Sequence, residues 1–504
     1  MQENMLIGIH QRPKSIFKFL ILSLQHVFAM FGSNVLVPIL VNESAGYEVI
    51  PIQVAFFCSG IGTIIYLCMT GFKVPIYLGS SFAYLGAMTT MWSTSGYNIF
   101  LSLMIVGVIY IIVAGIIHFT KGQAYIKKIL SPVIVGPAIM MIGLSLMTNA
   151  AKDSYFNPAY ATDLDLGSRW ALIVIAIFTF SIIVFCFVFA KTFLKMIPIL
   201  IALILGTLFS LFVWGVANGV GNADLAEKLF PQSNLNKLMD YQNWTWYPDI
   251  TNMWSKSPIA NNNWSFKAET FLAIIPLSII TMSEHIGDHV NIGNLTGNDF
   301  ISKKPGLSRT LIGDGIATIV SASMGGPANT SYGENTSVIA MTRIASVWVI
   351  FAAACMSIGI SFLAPISQLI SIIPKPVIGG VEIILFSLIA INGLKLLINY
   401  KVNFSKPKNI IIFSLIAVMG LGGAIFNFSP SVALSGTGVA ILISIFLNIL
   451  LPNKKEDDSD YIQHVDLAPS DITNNMKNIT EKSKKIFKKI RKKKDNTDVE
   501  DENT

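Results

Sequence analysis

Val74–Met88 reads VPIYLGSSFAYLGAM, and Ser321–Thr342 reads SASMGGPANTSYGENTSVIAMT. Each sits among hydrophobic runs of membrane length, yet neither carries a continuous apolar helix pattern. Each contains a short stretch, SSFAY in the first and NTSYG in the second, that suits extended backbone with free N–H and C=O groups. Extended backbone at bilayer depth is tolerated only where protein buries it or where it lines a cavity. The plainer reading of both stretches is a pair of helices kinked by glycine.

The surrounding chain fixes the context. Of 504 residues, 53% are hydrophobic and 13% charged, with mean hydropathy +0.61; a soluble domain carries about 25% charged residues. Apolar runs of about 18–22 residues, enough to cross a ~30 Å hydrocarbon core, begin near Ser15, Pro51, Val74, Phe100, Ser131, Trp170 and Met196. Others begin near Phe266, Leu311, Ala322, Ser346, Ile370, Lys408 and Ser431. The expected fold is therefore an all-α polytopic membrane protein with 14 transmembrane segments. Segments 3 and 10 are the broken ones. They lie seven apart, and an odd offset gives the two halves opposite orientation, as two inverted 7-segment repeats require.

With the N-terminus inside, alternate links hold Lys73; Lys121, Lys127 and Lys128; Lys191 and Lys195; Lys303, Lys304 and Arg309; Arg343; and Lys395, Lys401, Lys406 and Lys408. The opposite links 42–50, 93–99 and 427–430 hold no Lys or Arg. This is the positive-inside pattern, and it accounts for the net charge of +7 without nucleic acid. Both termini are expected in the cytoplasm and the protein in the cell membrane. The 217–266 loop falls outside; its Trp244, Trp246, Trp254 and Trp264 suit the outer interface, with an external lid as the alternative. The tail 452–504 runs acidic and then basic, and Ile486, Phe487 and Ile490 suit a surface helix drawn to anionic lipid. Cys58, Cys68, Cys186 and Cys355 all lie in apolar runs and read as packing residues. No metal-ligand cluster and neither HExxH nor GxSxG is present, so no enzyme, metal or cofactor is expected.

Charge inside the spans points to a site. In AIIPLSIITMSEHIGDHV, Glu284 and Asp288 fall four residues apart on one helical face. Glu334 closes the broken part of segment 10, and Asp314 lies in segment 9. An ionisable group in hydrocarbon costs about 2.5 kcal/mol or more, so function is the default reading. Few cations stand near in sequence, which suits acids that hold a proton. Asp314 serves equally as a brace for backbone near the broken span. Gln25 and His26, a polar pair in segment 1, are expected to brace that backbone, with direct ligand contact second.

SEHIGDH, GSSFAY and NTSYGENTSVIAMTR, together with Gln25-His26 and PKPVIGG at 374–380, resemble the nucleobase–ascorbate transporter family (nucleobase:cation symporter-2), and within it the bacterial uracil carriers, from about Lys14 to Leu451. The resemblance implies a core domain of segments 1–4 (15–119) and 8–11 (267–367). A gate domain holds segments 5–7 (131–216) and 12–14 (368–451), after a cytoplasmic N-terminus at 1–14. Segments 3 and 10 each pair a short strand with a half-helix. Carried over by motif, Glu284 and Glu334 accept hydrogen bonds from a base and the backbone N–H groups of Phe82 and Gly333 donate. Ser81 lies in the same pocket, and Tyr332 and Phe82 supply apolar faces. Glu284, Asp288 and Asp314 handle protons, and Gln25, His26 and Asn335 give structural support.

The implied activity is secondary active import of a nucleobase, uracil first, by proton symport with alternating access, in a monomer or homodimer. Three departures bear on the base. Asp288 stands where the uracil branch has His, and Asp314 also resembles the purine and xanthine branch, whereas Glu334 matches the pyrimidine branch. Ser337 replaces a favoured Gly. A xanthine or purine permease is the alternative within the family, and an anion carrier or channel sharing the fold is the alternative beyond it.

Overall fold

The computed structural model describes residues 5–120, 131–160, 162–191, 193–251, 267–422, 424–429 and 432–451. Lys121, Lys127, Lys128, Trp254, Trp264 and the charged tail lie outside the described residues. The helices are α1 (Ile16–Ala45), α2 (Ile52–Met69), α3 (Leu85–Ser95), α4 (Asn98–Thr120), α5 (Pro132–Asp153), α6 (Leu166–Val188) and α7 (Pro198–Gly219). Two short helices follow, α8 (Ala223–Leu229) and α9 (Gln232–Met239), and then α10 (Ala268–Ile274), α11 (Leu277–Thr296), α12 (Gly306–Ser323) and α13 (Gly333–Thr342). The last are α14 (Val347–Ser361), α15 (Ala364–Ser371), α16 (Lys375–Asn399), α17 (Pro407–Leu421) and α18 (Gly436–Leu450). Among the described residues, eight helices are long and apolar enough to cross a bilayer, or nine if α14 and α15, bent at 77°, count as one. The protein is an integral membrane protein of predominantly helical fold.

Local chemistry sets the boundaries. Proline opens α5, α7 and α17, where its missing N–H costs nothing. Gly46, at φ 78°, closes α1 by donating to Asn42 and Glu43 carbonyls. Three boundaries differ from the expectation. The run placed near Ile370 divides, because Pro374 and Pro376 cannot continue a helix: α15 ends at Ser371 and α16 starts at Lys375. The extended stretch of segment 3 is Leu78–Ser80 rather than SSFAY; Phe82–Tyr84 already turns as a 3-10 helix into α3. Residues 427–429 of the expected link belong to a strand, β3 (Ile425–Ser429), which pairs antiparallel with β4 (Val432–Ser435), so α18 begins after Ser435.

The long helices pack in reciprocal pairs: α5 on α16, α4 on α12, and α2 on α14. Glycine permits the close approach, as it does generally between membrane helices. A Cβ on Gly143 would lie 2.5 Å from the Ala390 nitrogen and 2.6 Å from the Phe386 carbonyl oxygen of α16. Gly107 and Gly315 meet in the same way across α4 and α12. At the centre of the bundle β1 (Leu78–Ser80) pairs antiparallel with β2 (Asn329–Ser331), with Gly79 opposite Thr330. The Asn34 side chain of α1 holds β1, its oxygen accepting from the Ser80 N–H at 3.0 Å and the Ser80 hydroxyl at 2.7 Å.

Two outcomes are expected. Gly143→Leu forces α5 from α16 and costs about 1–3 kcal/mol, read as a lower Tm of the detergent-solubilised protein. Asn34→Ala strands the buried Ser80 N–H at a cost of about 1–3 kcal/mol, read as faster amide exchange across 78–82 with the outer helices unchanged.

Candidate functional site

β1 and β2 are buried and only three residues long, and the ladder extends one bond beyond each. The Ser81 N–H donates to the Ala328 carbonyl at 2.9 Å, and the Tyr332 N–H to the Tyr77 carbonyl at 3.0 Å. Past these bonds each chain turns helical, at Phe82 in one case and at Gly333 in the other. Neither Ser81 nor Tyr332 caps the turn with its side chain. The first-turn N–H groups of two half-helices are thus left available beside a single strand pair, each with a positive dipole end.

Side chains from neighbouring helices fasten the strands. Ser59 of α2 donates to the Leu78 carbonyl at 2.7 Å, and the Leu78 N–H donates to Thr63 at 2.9 Å. Thr318 of α12 donates to the Asn329 carbonyl at 3.1 Å, while the Asn329 amide donates to the Cys58 and Ala317 carbonyls. Little backbone in this region goes unpaired, as the membrane requires.

Four acids surround the strand pair. Glu334 lies in the first turn of α13, where the helix dipole favours it, and accepts from the Ser33 hydroxyl of α1 at 2.8 Å. Asp288 of α11 accepts from the Ser331 hydroxyl at the end of β2. Glu284 lies one turn earlier on the same face of α11. Asp314 is fully buried and meets the His285 imidazole at 2.9 Å. Behind that contact His285 and His289 stack at 4.0 Å, and the second ring bonds the Tyr66 hydroxyl. Among the described residues no Lys or Arg forms an ion pair with any of these acids.

The sequence-predicted residues take distinct places. Phe82 and Gly333 stand at the two half-helix starts, Phe82 partly exposed. Ser81 is buried beside them with its hydroxyl oxygen unpartnered among the described residues. Tyr332, expected to offer a ring face to a ligand, stands between β2 and α13. Its hydroxyl donates to the Ser80 carbonyl at 3.0 Å and its ring fills the space a Cβ on Gly79 would need, so it braces β1. His26 receives the Asn335 amide on its carbonyl at 3.1 Å and lies 3.2 Å from it through Nδ1. The oxygens of Gln25 and Asn335 are buried without a hydrogen-bond partner among the described residues.

Ser33 and Asn34 escaped the sequence reading, although SN interrupts an apolar run eight residues after Gln25-His26, on nearly the same side of α1. Ser331, Tyr66 and Thr281, the last bonded to Tyr84 at 2.8 Å, have no signal beyond their residue type.

The arrangement offers carboxylate acceptors, backbone donors and buried polar atoms around one point, which suits a small neutral molecule with both donors and acceptors. Among the described residues no group of three His, Cys, Asp or Glu side chains could hold a metal ion.

The profile of the Permease family (Xan_ur_permease) matches residues 17–427. A uracil permease of Bacillus caldolyticus is 35% identical over 467 residues, covering 90% of this chain and 99% of that one. Uracil permeases of Bacillus subtilis strain 168 and Escherichia coli K12 are 36% and 32% identical, covering 90% and 88% of this chain and 97% and 93% of theirs. Among solved structures, the transmembrane domain of the cyanobacterial bicarbonate transporter BicA superposes with TM-score 0.51 at 13% identity, covering 88% of this chain and 100% of that one. The inward-facing murine anion transporter Slc26a9 gives 0.56 at 11% identity, covering 88% and 69%; both likenesses concern the fold alone. Matched along most of its length by the profile and by relatives above 30% identity, this chain belongs to the Permease family and is a membrane transporter, not an enzyme.

Proposed function

We propose that the chain imports a nucleobase, uracil first, by proton symport across the cell membrane. The observation that carries this reading is the strand pair that sets two uncapped half-helix starts beside Glu284 and Glu334. Uracil has two N–H donors and two carbonyl acceptors at fixed angles in one plane. The carboxylates of Glu284 and Glu334 accept from the ring, and the Phe82 and Gly333 N–H groups donate to its carbonyls. Phe82 covers one face. Full-length relatives bearing the name uracil permease support the choice of base.

Fourteen segments in two inverted sets of seven, with both termini cytoplasmic, suit the packing. The pair α2–α14 joins segments 2 and 11, and a shift of seven carries it to segments 9 and 4, the observed pair α12–α4. Segments 1–4 with 8–11 then move as a core against a gate of 5–7 with 12–14. Glu284 and Asp288 carry the proton, because two like charges on one face, with no Lys or Arg paired to them among the described residues, ionise together only at high cost. The same acids would repel an anion, which separates this chain from the anion carriers of similar fold. A purine remains the competing substrate through Asp288, and competition of unlabelled xanthine against labelled uracil decides between them.

Labelled uracil uptake in cells is expected to collapse when an uncoupler abolishes the proton gradient; undiminished uptake refutes the coupling. Glu334→Ala is expected to insert normally and to lose uracil affinity by about tenfold or more, the loss of a charged hydrogen bond worth about 1.5–3 kcal/mol. Isothermal titration of purified protein reads the change, and unaltered affinity removes Glu334 from the site.

A further inference from the structure

A second group of acids lies away from the strand pair, where the end of α1 meets the end of α5 and the start of α16. Glu43 of α1 receives both neighbouring ammonium groups on one carboxylate oxygen, Lys375 at 2.7 Å and Lys152 at 3.1 Å. Asp153, next to Lys152 in the chain, is buried, and its Oδ1 has no hydrogen-bond partner among the described residues. Glu382 of α16 is fully buried, and both its carboxylate oxygens lack such partners. It lies three residues beyond Gly379, which presses on the Asp153–Ser154 backbone so closely that a Cβ there would overlap it. Residues three apart share a helix face, so Glu382 faces the end of α5.

Three carboxyl groups thus meet two ammonium groups, and both ammonium groups sit on Glu43. Other groups nearby are engaged or neutral. Arg169 of α6 donates to the Tyr155 and Phe156 carbonyls, Asp163 pairs with Lys228, and the Tyr155 phenol is uncharged near neutrality. A carboxyl beside a carboxylate forms a hydrogen bond only by sharing a proton, and an ionised carboxylate buried without a partner is strongly disfavoured.

We propose that Asp153 and Glu382 form a second proton-binding site, distinct from the central acids, that ties α1 to α5 and α16 through Glu43. With the proton in place Asp153 donates to the Glu43 carboxylate and the three helix ends stay together. Loss of the proton sets carboxylates against one another and loosens the tie. On the topology proposed above this contact lies at the external mouth and joins the core to the gate, so its protonation sets how firmly the two are tied there.

The test is infrared difference spectroscopy of the reconstituted full-length protein under pH titration, with labelled uracil uptake measured in parallel. Wild type is expected to show a titrating carboxylic-acid carbonyl band that Glu382→Gln removes and that survives in Glu284→Gln. The pH profile of uptake by Glu382→Gln is expected to differ from that of wild type. A band unchanged in both Glu382→Gln and Asp153→Asn overturns the proposal, as does an identical pH profile of uptake. Asp153→Asn supplies the same reading should Glu382→Gln fail to insert. Absence of uracil uptake by wild type would refute the proposed substrate and leave the infrared result standing.

Discussion

Hydrogen bonding of backbone in the absence of water is the constraint on which the structure turns. Two segments give up helical pairing midway and recover it from each other, through β1 and β2. Because each strand is only three residues long, it cannot satisfy itself, and side chains of α1, α2 and α12 complete the account. The polar residues scattered through those apolar helices are therefore parts of one scaffold. The same solution creates the site, since a helix that begins beside a strand exposes its first N–H groups where a continuous helix would have none.

The acids follow from that scaffold. Glu334 sits in the first turn of α13, which stabilises its charge, and Ser33 fixes its direction. Asp288 is held to the end of β2 by the Ser331 hydroxyl. Among the described residues Glu284 has no such fixed donor, and it shares its helix face with Asp288. A buried cluster of acids of this kind tolerates further negative charge poorly. The acids where α1, α5 and α16 meet obey the same electrostatics with a different result, because there lysines share the site and helix ends, rather than strands, are joined.

Sequence by itself determined the class of protein and the position of its centre. The membrane-length runs, the Lys and Arg bias, and the interruptions in segments 3 and 10 are local properties, each set by the cost of polar groups in hydrocarbon, and they are legible without knowing contacts. The pairing of Glu284 and Asp288 on one face was equally legible, since helical spacing fixes it. The short helix α15 and the β3–β4 hairpin were not, because a proline pair and a short polar link permit several local courses. Tertiary structure alone decided which residues far apart in the chain meet. It set the Tyr332 ring against Gly79, joined Ser33 to Glu334 and His285 to Asp314, and brought Glu43 of α1 to Lys152 and Lys375 at one helix junction. No periodicity encodes such meetings, since they depend on the packing of helices whose apolar surfaces look alike from the sequence.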